Sequence, residues 1–287
     1  LNKTGITIVD AKQVIDFNEH PIRAIQGKPY SSIVIGTNLV KEGKASAFVS
    51  AGNTGAVVAC ALLTLGKAKG VTRPGIGAFL DIYSSRPPLL VDAGANADCR
   101  PEHLLEFARL GSIYSKYLLN IESPRIGLLS NGAEEGKGNR LTVEAYKLLL
   151  EHKELNFIGN IEGHDIAKKK VDVVVADGFT GNIVLKTIEG FNDNFLTSIK
   201  EMGHVFSSVS RLKTRDLLND IGLGSMTRKL DYSEYGGACL LGVNGNIIIA
   251  HGRSQSKAIK NAVGLARETI ERGIKDKIRE EYVCVNR

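Results

Sequence analysis

The stretch AFVSAGNTGA at 47–56 decides how the rest of the chain reads. Ala47 to Val49 are small and apolar, as the end of a buried strand would be. Ser50, Gly52, Asn53, Thr54 and Gly55 follow within six positions. Val57, Val58, Ala59, Ala61, Leu62 and Leu63 then read as a helix. The order is strand, tight polar turn, helix start. The first backbone N–H groups of a helix have no partner within it. With the helix dipole they make a site for an anion, worth about 0.3–1 kcal/mol from the dipole alone. The glycines let backbone approach a ligand closely, and Ser50, Asn53 and Thr54 add side-chain donors. The turn reads as a phosphate cradle, the plainer alternative being a strand–helix turn capped by Asn53 or Thr54.

Outward from this turn the same pattern recurs. Strands are expected at 5–9, 75–80, 89–91, 125–129, 156–159, 171–176, 240–243 and 247–250, the β-branched run VDVVVA being the clearest. Helices are expected at 30–42, at 101–120, at 141–151, from Ile183 onward, and as one final amphipathic element over 256–281. Glu19-His20-Pro21 is expected to break the chain. Strands alternating with helices define an α/β fold, a three-layer α/β/α sandwich with a mostly parallel sheet. In such sheets ligands bind beyond the carboxyl ends of the strands. Four polar glycine-rich segments, 50–55, 92–98, 130–139 and 177–182, each follow an expected strand, and all four are expected at that one edge. The whole chain, 1–287, reads as a single domain with a helical excursion at 191–230.

The 287 residues are 43% hydrophobic and 24% charged, enough for a sizeable core. The net charge of +6 points to an acidic partner: nucleic acid, an anionic membrane surface or an acidic protein. No long Lys/Arg block dominates and no RNA-type aromatic motif is present, so nucleic acid is the weakest of the three. The four cysteines, Cys60, Cys99, Cys239 and Cys284, stand at no metal-ligand spacing and read as reduced structural thiols of a cytosolic protein. No run of about 18 apolar residues suggests a transmembrane helix, and no signal peptide is expected.

Several motifs stand together in series: SAGNTGA at 50–56, DAGANAD at 92–98, PEHL at 101–104, GLLSNGAEEGKGN at 127–139, NFIGNIEGHDI at 156–166, DVVVADGFTGNIVLK at 172–186, YGGACLLG at 235–242, and HG at 251–252. In this order and spacing, over nearly the whole chain, they closely resemble the bacterial phosphate acyltransferases of phospholipid synthesis, the PlsX family. The resemblance implies transfer of a fatty acyl group from acyl-[acyl carrier protein] to orthophosphate, giving acyl-phosphate for glycerol-3-phosphate acylation. It implies a fold similar to phosphotransacetylase and the isocitrate dehydrogenase group, a homodimer, and action at a membrane surface without spanning it. Two departures stand out. Family members begin with a strand and a glycine-rich Asp-Ala-Met-Gly-Gly-Asp turn, which is expected to be missing ahead of Leu1. Where the family pattern has Arg in EGRDI, this chain has His164. A rim position tolerates that change; a phosphate contact does not, because Arg offers a fixed bidentate fork.

The implied reaction is attack of a phosphate oxygen on a thioester carbonyl. Phosphate is nucleophilic at neutral pH, so the protein must hold it, orient the thioester and stabilise the oxyanion, and neither a metal nor a cofactor is demanded. Ser50, Gly52, Asn53, Thr54 and Gly55 are the candidates for holding phosphate, with Lys137 a further one that equally marks a loose loop. Asn182 and Lys186 stand one helical turn apart and so share a helix face. Lys186 is the candidate for neutralising phosphate or oxyanion, against the reading of a solvated helix lysine. Asn96 is the candidate donor to the carbonyl, or else holds its turn. His251 is a candidate general acid or donor, or else structural. His103 reads as packing, and Asp92 and Asp177 as turn fixers.

The excursion carries Phe195, Leu196, Ile199, Met202, Val205 and Phe206 with Lys200, Arg211, Lys213, Arg215, Arg228 and Lys229 nearby. It reads as an amphipathic element for an anionic membrane, for the acidic carrier protein, or for a dimer mate. Three other functions compete: a phosphotransacetylase-type enzyme using acyl-CoA, an oxidoreductase on a related sheet, and a non-catalytic carrier-protein or membrane adaptor. The oxidoreductase needs a GxGxxG fingerprint after the first strand, which does not appear. The adaptor leaves four glycine-rich polar turns unexplained.

Overall fold

A computed structural model describes residues 5–80, 87–210 and 236–285. Its centre is an eight-stranded sheet built from β1 (Phe48–Ser50), β2 (Gly75–Phe79), β3 (Leu89–Val91), β4 (Ile126–Leu129), β5 (Phe157–Ile161), β6 (Val173–Val175), β7 (Ala238–Leu241) and β8 (Ile247–Ile249). The spatial order is β1-β8-β7-β2-β3-β6-β4-β5. Helices α1 (Pro21–Gly27), α2 (Ser32–Lys41), α3 (Thr54–Thr64) and α6 (Gly178–Ser210) belong to one face. Helices α4 (Pro101–Leu119), α5 (Arg140–Glu151), α7 (Ser256–Glu271) and α8 (Ile274–Val285) belong to the other.

Alternation along the strands sorts the core into two layers. Leu89, Val91, Val173, Val175, Cys239, Leu241 and Ile248 point toward α4 and its neighbours. Ile76, Ala78, Leu90, Val174, Leu240, Ile247 and Ile249 point toward α3, with Val184, Leu185 and Ile188 of α6 packed against them. This is the three-layer α/β/α arrangement. Most expected elements are present within a residue or two of their expected bounds.

Four departures have local causes. Residues 5–9 join no strand, and Ile6, Ile8 and Val9 stay exposed, because an apolar run without a neighbouring strand has no ladder to complete. Pro21 opens α1 rather than breaking the chain, since its fixed φ and missing N–H suit the first helical position. The final amphipathic stretch is two helices, split at Gly273, whose φ of 63° is left-handed. The fourth departure concerns direction. β3, β6, β4 and β5 run parallel, but β2 is antiparallel to β3, β7 to β2, and β8 to β7, while β1 runs with β8. β1 therefore points opposite to β3, and the 50–55 turn leaves at the edge facing away from the 92–98, 130–139 and 177–182 turns. The expectation that all four share one edge is corrected. The β2–β7 hairpin-like crossing, invisible in the order of motifs, reverses the outer strands.

The first of those turns hangs on Asp92, whose side chain is fully buried. Oδ1 accepts from the N–H groups of Ile76, Gly94 and Ala95, and Oδ2 from the backbone N–H and side-chain Nδ2 of Asn96. Burial holds this carboxyl above its ordinary value, with the hydrogen bonds opposing in part. Every group around it is a donor, so the arrangement fits the ionised form. The start of α6 then closes on the same turn. Gly178 N–H donates to Asn96 O, and a Cβ at Gly181 would stand 2.0 Å from Asp92 O.

The excursion's helical expectation holds through Ser210. Arg211, Lys213, Arg215, Arg228 and Lys229, and the side chains of Leu196, Ile199, Lys200, Met202, Val205 and Phe206, lie outside what is described. Replacing Asp92 by Ala leaves four backbone N–H groups, those of Ile76 and Asn96 buried, without their acceptor. Unfolding in denaturant should show a loss of about 3–5 kcal/mol; a loss under about 1 kcal/mol would mean that water replaces the carboxylate.

Candidate active site

A cavity of about 330 Å³ lies under α6, over the face of the sheet. Its floor is Ile76, Ala78 and Phe79 of β2 with Ala238 and Ile249, and its roof is Asn182, Leu185, Lys186, Ile188, Glu189 and Asn192. Thr54, at the first position of α3, and His251, two residues past β8, close one end. Ala93 and Gly94 close the other. The site is therefore not a crevice at one sheet edge. α6 leaves β6 at the edge of the 92–98 turn and crosses to the edge where Ser50 and Ala250 meet, Ala250 N–H donating to Ser50 O at 2.8 Å.

Three charged or titratable groups converge at that second edge. Lys186 Nζ lies 2.7 Å from Glu189 Oε2 and 3.0 Å from His251 Nε2, and His251 Nε2 lies 3.4 Å from the same Glu189 oxygen. Arg253 N–H donates to His251 Nδ1 at 3.1 Å, and the Arg253 guanidinium pairs with Asp193 at 3.0 Å. A neutral imidazole accepts at one nitrogen only. With Nδ1 taken by the Arg253 amide, the ring proton is assigned to Nε2, which faces Glu189 Oε2 at 3.4 Å. His251 is held below its ordinary pKa, first by burial and then by the Lys186 ammonium, with Glu189 opposing. The ring is therefore neutral at pH 7. The helix face carrying Asn182 and Lys186 continues to Glu189, which sequence reasoning missed. Its spacing, i+3 from Lys186 and i+7 from Asn182, was the available signal.

The candidates divide. Thr54, Asn182, Lys186 and His251 line the cavity together. Ser50 and Asn53 sit behind it. Ser50 Oγ accepts from Gly52 N–H at 3.2 Å. Asn53 caps α3 by accepting from Ala56 N–H, and its Nδ2 lies within hydrogen-bond distance of the carbonyls of Asp16, Phe17 and Glu19. With Ala56 N–H capped and Val57 N–H bonded to Asn53 O, the Thr54 and Gly55 amides are the opening donors of the helix. No side chain at Gly55 would fit beside Pro21, whose Cγ lies 2.6 Å from an added Cβ. Asn96 is buried, with Nδ2 committed to Pro74 O and Asp92 Oδ2. Lys137 is exposed on the 130–139 loop, outside the cavity lining. Asp177 caps α6, accepting from Thr180 N–H and Oγ1. His103 accepts from Arg100 N–H at the start of α4.

Cys99 is pushed up to about 11 and Cys239 to about 12, both chiefly by burial, so neither offers a thiolate nucleophile at neutral pH. Among the described residues one cluster, Glu162, His164 and Asp165, brings three metal-ligating types within 4.8 Å of one another. Asp165 there is already ringed by Lys170 at 2.7 Å, His164 at 3.2 Å and Lys168 at 3.3 Å, and the Lys170 contact holds its carboxyl well below the usual range. Its charge is met by cations, which leaves little for a metal. The His164 side chain is 57% exposed, a position on the outside of the fold.

An α/β/α sandwich with a free helix start and a lysine–histidine pair over one cavity has the parts of an anion-handling enzyme. The profile of the family described as "Fatty acid synthesis protein" matches residues 2–277, and the chain belongs to that family. It is 59% identical over 281 residues to "Phosphate acyltransferase" of Dehalococcoides mccartyi, covering 98% of this chain and 80% of that protein. It is 47% identical over 276 residues to "Phosphate acyltransferase" of Desulforamulus reducens, covering 96% and 81%. Among solved structures, a phosphotransacetylase from Streptococcus pyogenes aligns with a TM-score of 0.55 at 18% identity, over 87% of this chain and 70% of the other. The phosphotransacetylase EutD of Staphylococcus aureus aligns with a TM-score of 0.51 at 19% identity, over 89% and 70%. These two likenesses bear on the fold alone.

Because His251 is held below its ordinary value, the stability of the fold depends on pH through it. A group depressed below its ordinary 6.5 in the folded state stabilises the fold above that value, and the contribution is lost as pH falls below it. His251→Gln should therefore lose less stability than the parent between pH 7 and pH 5 in denaturant melts; an equal loss would place the ring's titration at its ordinary value.

Proposed function

We propose that the protein transfers a fatty acyl group from acyl-[acyl carrier protein] to orthophosphate, forming acyl-phosphate and the free carrier thiol. The observation that carries the reading is the convergence of Thr54, Lys186 and His251 at one end of a cavity floored by apolar side chains, in a chain 59% identical to a protein named phosphate acyltransferase.

Phosphate binds at the start of α3, where the Thr54 and Gly55 amides and the helix dipole face it. The Lys186 ammonium supplies the opposite charge. The apolar stretch from Ile76 to Phe79 and Ile249 receives the acyl end of the thioester. A phosphate oxygen forms the new C–O bond, the carbonyl electrons move onto oxygen, and collapse expels the thiolate. Lys186 and Asn182 stabilise the transient oxyanion, and His251, neutral and carrying its proton on Nε2, is the donor for the departing sulfur. The site needs no metal for any of these steps.

The net charge of +6 suits an acidic carrier protein and an anionic bilayer alike. Among the described residues no helix is long and apolar enough to cross a membrane. The exposed Phe191, stacked on Phe195 at 6.1 Å, begins the stretch for which we propose peripheral contact or a dimer mate. Charge reversal at Arg211, Lys213 and Arg215 should release the protein from anionic vesicles; unchanged binding removes the membrane from this reading.

The decisive assay is phosphate-dependent acyl-phosphate formation from long-chain acyl-[acyl carrier protein], with acyl-CoA in parallel. Product from the carrier thioester is expected, and Lys186→Ala should lower kcat by about 10²-fold. Product from acyl-CoA alone would move the protein to the phosphotransacetylase type, and no phosphate-dependent product from either donor would overturn the reading.

A further inference from the structure

Among the described residues Glu189 is the one acidic side chain in the cavity lining. At 17% exposure it is the most buried of the three groups that meet there, Lys186 being 50% and His251 25% exposed. A carboxylate facing a proposed anion site works against the ligand unless it does something for the groups around it. Here a single oxygen, Oε2, touches both Lys186 Nζ and His251 Nε2. Among the described residues it is the one carboxylate that anchors the ammonium, which rides on a four-carbon stem with several free torsions. The ring faces a difficulty as well. Its Nδ1 is committed as an acceptor to the Arg253 amide, so Nε2 must carry the proton although a cation stands 3.0 Å away. An anion at the same spot, Glu189 Oε2 at 3.4 Å from the ring nitrogen, reconciles the two.

We propose that Glu189 is a positioning residue: its Oε2 clamps the Lys186 ammonium over the cavity and holds the His251 ring with its proton on Nε2. This rests on the placement of Lys186 and His251 in the proposed acyl transfer and adds the residue that orients both. When phosphate arrives it competes with Glu189 for the ammonium. The carboxylate therefore stands in for the substrate's charge while the site is empty, and its bond to the lysine yields as the phosphate bonds form. Among the described residues, the charged groups that act on His251 are Lys186, Glu189 and Asp193 from α6 and Arg253 from its own loop. α3 contributes the uncharged Thr54, and β2 contributes Ile76, Ala78 and Phe79, none of which titrates.

The test is a nitrogen-15 NMR titration of the histidine side chains in the parent protein and in Glu189→Gln, with His251→Asn identifying the His251 signals. Glutamine keeps the shape and removes the charge. The His251 midpoint should fall by about 1 unit in Glu189→Gln, and its tautomer signature should shift away from the Nε2-protonated form. In the assay, the acidic limb of kcat/KM should move down with it, and Glu189→Asp, too short to reach both partners, should not restore the parent profile. A residue that merely packs α6 would lower the melting temperature and leave the His251 midpoint in place; an unchanged or raised midpoint in a folded Glu189→Gln overturns the proposal. The NMR readout does not need turnover. Failure of the acyl-transfer reading, seen as no product from the parent protein, is thereby separate from failure of the clamp.

Discussion

The carboxylate of Asp92 is the constraint on which the rest of the structure depends. It is fully buried and surrounded by donors, and those donors belong to β2, to the turn that leaves β3, and to the Asn96 side chain. A buried anion of this kind is stable only when its hydrogen bonds are complete. Completing them fixes the height at which the turn leaves the sheet, and the turn in turn receives α6. Gly178 and Gly181 have no room for a side chain there, the first against Asn96 O and the second against Asp92 O. Glycine at these two positions is what lets helix backbone seat directly on turn backbone.

From that seat α6 crosses the sheet and carries chemistry to the opposite edge. The two ends of the cavity are thus assembled by different parts of the topology. One end is the 92–98 turn of a strand running one way. The other is formed by the ends of β1 and β8, running the opposite way, with the Ser50 carbonyl bonded to the Ala250 amide. Lys186 reaches His251 only because a single helix spans both. The ion pairs Lys186–Glu189 and Arg253–Asp193 both join α6 to, or stand beside, the 251–254 turn, so electrostatics close the second edge as buried hydrogen bonds close the first.

Much of this was legible in the sequence. The strand–turn–helix grammar around 47–64 and 171–186 marked β1, α3, β6 and α6, and helical spacing put Asn182 and Lys186 on one face. The series of motifs also carried the family resemblance. What the sequence withheld was direction. The apolar runs at 75–79 and 238–241 announce strands but not which way they run, so the reversal through β2 and β7 was invisible and the four polar turns were placed on a single edge. Asn53 and Asn96 illustrate a second limit. Residue type marks them as donors, yet their amide hydrogens are directed at the carbonyls of Asp16, Phe17, Glu19 and Pro74. Which side of a turn an asparagine serves is decided by what packs behind it. Glu189 was missed for the reverse reason: an acid on an exposed-looking helix stripe reads as solvated until His251 arrives from 62 positions along the chain.

The seating of α6 also has a mechanical meaning. A helix rises about 1.5 Å per residue, so Lys186 rides about 12 Å from the Gly178 seat and Ser210 about 48 Å from it. With one end locked against the Asp92 turn, α6 is a lever whose pivot lies beside the chemistry. Any tilt imposed at its far end is divided by about four before it reaches the lysine. The distal length of the helix can lean on a surface or a partner while the reacting groups scarcely move.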